Sequence, residues 1–177
     1  MSASLRSFPL PKASRPTWDD TWMNVARVIA ARSTCSRDQV GAVVVSASNR
    51  IIDTGYNGPP AGWQPIHSDG CTAWCPRAAQ AQLSHAHGLV QDYSDCYSLH
   101  AEANALMFSD RRLREGGTIY VTSGTCSGCA KLVANSGLAR AVYATADRDI
   151  SHRDSARWYD FLQDCGLEVL HYERPIA

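Results

Sequence analysis

A histidine, a glutamate and two cysteines stand at spacings that metal chemistry uses: His100-Ala101-Glu102, then Cys126-Ser127-Gly128-Cys129. One imidazole and two thiolates offer zinc three ligands and leave a fourth position for water. That is the pattern of a catalytic centre, because a structural zinc takes all four ligands from protein. Glu102, two residues past the histidine, is placed to move protons at that water without ligating the metal. Alone, Cys-x-x-Cys could equally be a redox dithiol or half of a structural zinc site, and His-x-Glu occurs freely on helix surfaces. Together and in this order they select hydrolytic zinc chemistry. Cys126 and Cys129, one helical turn apart, fit joint ligation better than nucleophilic attack.

A second cluster precedes the histidine. His67, Cys71, Cys75 and Cys96 could close a four-ligand structural zinc, with His85 and Cys35 in reserve. Such a metal would order a polar, Gly- and Pro-rich insert between Gly62 and Tyr97. The alternative is three thiols and a surface histidine with no shared role. Cys165, beside Gly166, reads as a small buried apolar residue.

These residues need a scaffold, and 177 residues suit one domain with a filled core. Residues 1–16, rich in Ser and Pro, read as a flexible extension without the apolar stretch of a secretory signal. Residues 17–177 form the domain. Lys plus Arg and Asp plus Glu both number 17, so no broad polyanion-binding face is expected and nucleic acid is not a partner. A local pocket for one phosphate remains open. No apolar run reaches the roughly 18 residues that span a bilayer. An odd count of seven cysteines without an export signal points to metal ligands in a reducing cytoplasm.

Thr17 and Asp20 form a capping box ahead of Trp22, Val25, Ala26 and Ile29 at helical spacing, which predicts a helix over about 18–33. Val40–Ser46 is a Val-rich strand, turned by Asn49-Arg50 into an antiparallel neighbour, Ile51–Thr54. The loop Gly55-Tyr56-Asn57-Gly58-Pro59-Pro60-Ala61-Gly62 follows, and residues 76–87 form a short helix. Beyond His100 the order is helix (101–110), strand (118–122), helix (127–136, ended by Gly137), strand (141–144), helix (153–164) and strand (167–171). The second half predicts parallel pairing and the first half an antiparallel hairpin. Their sum is a mixed five-stranded sheet between helices.

His-x-Glu with Cys-x-x-Cys marks zinc deaminases acting on nucleobases. Both motifs open helices, so helix dipoles favour the thiolates and a hydroxide. The motif run His100-Ala101-Glu102-Ala103-Asn104-Ala105, with Cys126-Ser127-Gly128-Cys129, resembles the deoxycytidylate (dCMP) deaminase family of the cytidine deaminase superfamily. Ser33-Thr34-Cys35-Ser36-Arg37-Asp38-Gln39-Val40-Gly41-Ala42 and Gly55-Tyr56-Asn57-Gly58-Pro59-Pro60 resemble two further segments of that family. The resemblance spans about residues 17–172 and implies the three-layer α/β/α cytidine deaminase-like fold.

The resemblance implies that His100, Cys126 and Cys129 hold Zn2+ and that Glu102 shuttles protons while dCMP is hydrolysed to dUMP and ammonia. It implies that Asn57 binds sugar or base, and that Ser33 and Arg37 lie near the 5′-phosphate. It further implies a second zinc in some members, a dCTP or dTTP effector with Mg2+ at Gly55, Tyr56 and Gly58, and a homo-oligomer, a hexamer in the family. A cytoplasmic location follows, bacterial or, for a viral chain, that of the host. Without the resemblance, Arg37 reads equally as a surface charge and Asn57 as a turn residue. Tyr56, Trp63, Trp74 and Tyr143 are aromatic candidates for stacking on a base, each also readable as packing. Thr125 departs from the family's proline before the first cysteine, and a threonine can serve there as a cap. Two rivals stay open. One is a deaminase of another base or nucleotide (guanine, pterin, methyl- or hydroxymethyl-dCMP). The other is a non-catalytic zinc-stabilised binding module.

Overall fold

The computed structural model describes residues 15–35, 37–63, 96–144 and 155–173. The elements in chain order are α1 (Trp18–Ala30), β1 (Gly41–Val45), β2 (Ile51–Tyr56), α2 (Ala101–Phe108), α3 (Arg111–Arg114), β3 (Thr118–Val121), α4 (Ser127–Ala134), β4 (Arg140–Ala144), α5 (Ser155–Asp164) and β5 (Glu168–Tyr172). They form one mixed sheet in the order β2-β1-β3-β4-β5. β1 runs antiparallel to β2 and β3, while β3, β4 and β5 run parallel. This is the sheet expected from the sequence.

β1 explains why its sequence is an unbroken apolar run. Ala42 and Val44 enter the cluster shared with α2, α4 and α5, and Val43 and Val45 enter the cluster shared with α1. A strand covered on both faces has no solvent side on which to place polar residues. The three layers are therefore α1, the sheet, and the group α2, α4 and α5.

The capping box forms as read: the Thr17 hydroxyl accepts from the Asp20 amide at 3.1 Å, and the Asp20 carboxylate accepts from the Thr17 amide at 3.0 Å. The helix ends at Ala30, short of the expected 33, where the Arg32 and Ser33 amides turn back to the carbonyls three residues behind, Ile29 and Ala30, at 3.0 and 2.9 Å. Trp22 packs in the core as expected, whereas Trp18 is half exposed and stacks on it with ring centroids 5.3 Å apart. Asn49 takes the left-handed turn conformation (φ 58°), which suits asparagine. Cys165 is exposed, contrary to its apolar reading, because it follows the last turn of α5 on the solvent side. Short α3 was not expected. Asp110 caps it, and Arg114 locks it by donating to the carbonyls of Leu106, Ser109 and Ser136 at 2.7–2.9 Å. Residues 1–14 and the helix expected over 76–87 lie outside the described residues.

Two glycines set the layer spacing. A Cβ at Gly41 would overlap the Ala26 carbonyl oxygen of α1, and one at Gly55 would overlap the Ala101 carbonyl oxygen of α2. Only a residue without a side chain lets each helix lie this close to its strand.

Candidate active site

His100 is the N-cap of α2 and Cys126 the N-cap of α4, both in extended backbone conformation. From these positions each side chain projects beyond the first turn of its helix. Cys129, one turn into α4, is buried. His100 Nδ1 lies 3.4 Å from Cys126 Sγ and 3.3 Å from Cys129 Sγ. All three donor atoms fall within 4.8 Å of one another. Zinc bonds of about 2.0 Å to nitrogen and 2.3 Å to sulfur, at a tetrahedral angle, separate such donors by about 3.5 Å. The residues fit zinc almost without adjustment.

The two sulfurs behave as a pair. A hydrogen bond from the Cys129 thiol pulls the Cys126 pKa down to about 3 against the opposing effect of burial. The Cys129 thiol is pushed up, first by holding that bond and then by burial. Metal binding draws on thiolates, so it would release protons from this pair. Glu102, on the first turn of α2, is 3% exposed. Burial raises its pKa, against the lowering influence of His100 and of its own backbone amide. A buried carboxyl with a raised pKa, set beside the three donors, is suited to taking and returning a proton.

Several contacts hold this geometry. Gly58 and Leu99 exchange backbone hydrogen bonds at 3.1 and 2.8 Å, tying the loop after β2 to the residue before His100. Asn104 Nδ2 donates to the Tyr56 carbonyl at 2.7 Å. The Ser155 hydroxyl, at the start of α5, donates to the Thr125 carbonyl at 3.1 Å, bracing the turn before Cys126. Sequence reading missed these positioning roles. Asn104 stood inside a motif, but Ser155 carried no signal.

The expected substrate residues divide. Ser33 is buried, and its hydroxyl donates to the Asn57 carbonyl at 2.7 Å. The Asn57 side chain accepts from the Val40 amide and donates to the Asp38 carbonyl, each at 2.8 Å. Both therefore shape the 33–40 loop, and these two bonds use one N–H and one lone pair of the Asn57 amide. Arg37 is exposed on that same loop. Gly55 and Gly58 are buried and Tyr56 is exposed beside them. Trp63 packs on Tyr97 with centroids 4.9 Å apart. Tyr143 is fully buried in the core, which excludes it as an open stacking platform. Of the second cluster, Cys96 is partly buried four residues before His100. His67, Cys71 and Cys75, like Trp74 and His85, lie outside the described residues.

A hydrolytic zinc site set between two helix starts, on the face of a mixed five-stranded sheet covered by α2, α4 and α5, places the molecule among the cytidine deaminase-like hydrolases. Comparison with known proteins carries this further. Residues 16–145 match the family model of the cytidine and deoxycytidylate deaminase zinc-binding region, and the chain belongs to that family. It is 46% identical over 134 residues to a deoxycytidylate deaminase of Mycobacterium phage D29, covering 73% of this chain and 96% of that protein. A deoxycytidylate deaminase of Schizosaccharomyces pombe is 33% identical over 93% of this chain, which spans 47% of that longer protein. Among solved structures, the dCMP deaminase of cyanophage S-TIM5 in complex with dCMP and dUMP superposes with a TM-score of 0.62. It is 26% identical and covers 90% of this chain and 100% of that one. No helix among the described residues is long and apolar enough to cross a membrane.

Proposed function

We propose that this protein is a deoxycytidylate deaminase, which hydrolyses dCMP to dUMP and ammonia in the supply of thymidine nucleotide precursors. The observation that carries this reading is Glu102, buried yet unligated beside the His100, Cys126 and Cys129 donors. A purely structural zinc site has no use for such a carboxylate. The deoxycytidylate deaminases among its relatives supply the choice of base and nucleotide.

His100, Cys126 and Cys129 would hold Zn2+, which when bound makes a water molecule nucleophilic at neutral pH. Glu102 accepts that water's proton, returns it to the ring nitrogen next to the amino-bearing carbon, and assists the departure of ammonia. No covalent link to the protein is needed. Arg37 carries the 5′-phosphate, since a guanidinium keeps its charge and offers paired donors. Asn57 contacts the sugar or base, and Ser33 holds Asn57 in place.

The finer features follow the family resemblance. A structural Zn2+ would sit on His67, Cys71, Cys75 and Cys96. A dCTP or dTTP effector with Mg2+ would bind at the Gly55, Tyr56 and Gly58 loop, in a cytoplasmic homo-oligomer. The discriminating experiment for the substrate is Arg37→Ala, assayed on dCMP and deoxycytidine in parallel. The expected result is a KM for dCMP raised at least about tenfold, the worth of one charge-assisted contact, with deoxycytidine turnover unchanged. Equal effects on both substrates would remove the phosphate from Arg37.

A further inference from the structure

The Tyr143 hydroxyl is the one buried side-chain polar atom that finds no hydrogen-bond partner among the described residues. The residue sits in β4 directly opposite Val121, the last residue of β3 before the turn that leads to Cys126. Its ring is fully buried in the cluster under α2, α4 and α5 and packs on Tyr159 at 5.1 Å. Buried hydroxyls without partners are rare in folded proteins, and each calls for a role or a water. The Thr125 side chain is near enough to favour the ionised phenol as a weak partner, yet no contact in full hydrogen-bond geometry forms. Glu102 and Cys129 are close enough to act on the phenol electrostatically.

Thr125 is under-used as well. It is fully buried, and its hydroxyl reaches only the carbonyl of the adjacent Cys126, at a long 3.3 Å. Its own carbonyl is already held by Ser155. Two poorly satisfied hydroxyls thus lie near each other, one of them on the residue before a metal-binding cysteine. A proline at position 125 could offer no hydroxyl to such a pair.

We propose that Tyr143 is a positioning residue for the metal-binding turn: its hydroxyl donates to Thr125 Oγ1, directly or through one internal water, and Thr125 donates onward to the Cys126 carbonyl. The chain of hydrogen bonds runs from the rigid sheet into the N-cap of α4. The same carbonyl accepts from the Ala130 amide at 2.9 Å, so tightening it fixes the first turn of α4 and with it the Cys126 to Cys129 separation. It gives Thr125 a function in place of the backbone restriction that proline would impose.

The test uses the full chain loaded with zinc for kinetics and with cobalt for absorption spectra. Tyr143→Phe, which removes one oxygen and leaves the packing, and Thr125→Val should each lower kcat about fivefold, the worth of one neutral hydrogen bond. KM for dCMP should stay within about twofold of the parent's. Both should shift the visible cobalt bands, while Thr125→Ser, which keeps the hydroxyl, should behave as the parent. The double variant should be no worse than the worse single one, because one chain is cut twice. Parental kcat and cobalt bands in Tyr143→Phe, or effects that add in the double variant, would overturn the proposal. The kinetic arm rests on the deaminase reading and the cobalt arm does not. Absence of dCMP turnover in the parent would therefore strike that reading alone, and unshifted cobalt bands would strike this one.

Discussion

Replacing Gly55 by alanine tests how the sheet sets the metal geometry. A Cβ there would overlap the Ala101 carbonyl oxygen, stand 2.5 Å from the Ala105 nitrogen and 3.0 Å from Asn104 Cβ. The first two are backbone atoms of α2 and cannot rotate aside. The helix must retreat by about 1 Å to regain ordinary van der Waals contact. His100 and Glu102 travel with α2, whereas Cys126 and Cys129 ride on α4. The 3.3 and 3.4 Å separations between imidazole and sulfurs must then change. Overpacking of this kind costs about 1–3 kcal/mol of stability. A misplacement of about 1 Å at reacting groups costs about a hundredfold in rate. The assay is urea unfolding, zinc content and kcat/KM for dCMP on parent and Gly55→Ala side by side. A variant with full zinc and activity within about threefold of the parent's would refute the claim that the β2–α2 contact fixes the site.

Other perturbations follow from the same contacts. Asn57→Ala removes two side-chain hydrogen bonds and strands the buried Val40 amide, so it should cost about 2–4 kcal/mol in urea unfolding and raise KM for dCMP. A stable variant would mean that the loop is held by other contacts. Asp19 has its pKa lowered chiefly by the hydrogen bond from Arg140, at 2.8 Å, with burial opposing and Tyr120 assisting. A depressed carboxylate contributes its stability above its unfolded pKa of about 3.9 and loses it as pH falls through the folded value. Asp19→Asn should therefore be less stable than the parent by about 1–2 kcal/mol at pH 7, the carboxylate being only about one-third exposed. That gap should close below about pH 4. A gap that persists unchanged at pH 3 would contradict the assignment.

The catalytic donors were legible because metal chemistry constrains both residue type and spacing. His100, Glu102, Cys126 and Cys129 converge as the motif required. β1 was legible because a strand covered on both faces shows no alternation. Other features carried no local signal. The four residues of α3 have no room for a helical period, and the helix depends on Arg114 reaching carbonyls up to 22 positions away. Ser33 and Asn57 were read as ligand contacts through the family resemblance, and sequence does not show which backbone groups such polar side chains also hold. Here much of their hydrogen-bonding capacity is spent on the backbone of residues 38–40 and 57. Thr125 read as a substitute cap, yet the cap position falls to Cys126, and the Thr125 carbonyl is held by Ser155 of α5, which only the folded chain brings beside it.

The most direct test of the central claim is ammonia release from dCMP, followed with its ultraviolet change, by native protein and Glu102→Gln at measured zinc content. The native protein should turn over dCMP to dUMP. Glu102→Gln should bind zinc equally and lose about three to four orders of magnitude in kcat. A zinc-loaded native protein that leaves dCMP intact, or a Glu102→Gln variant that matches it, would contradict the account.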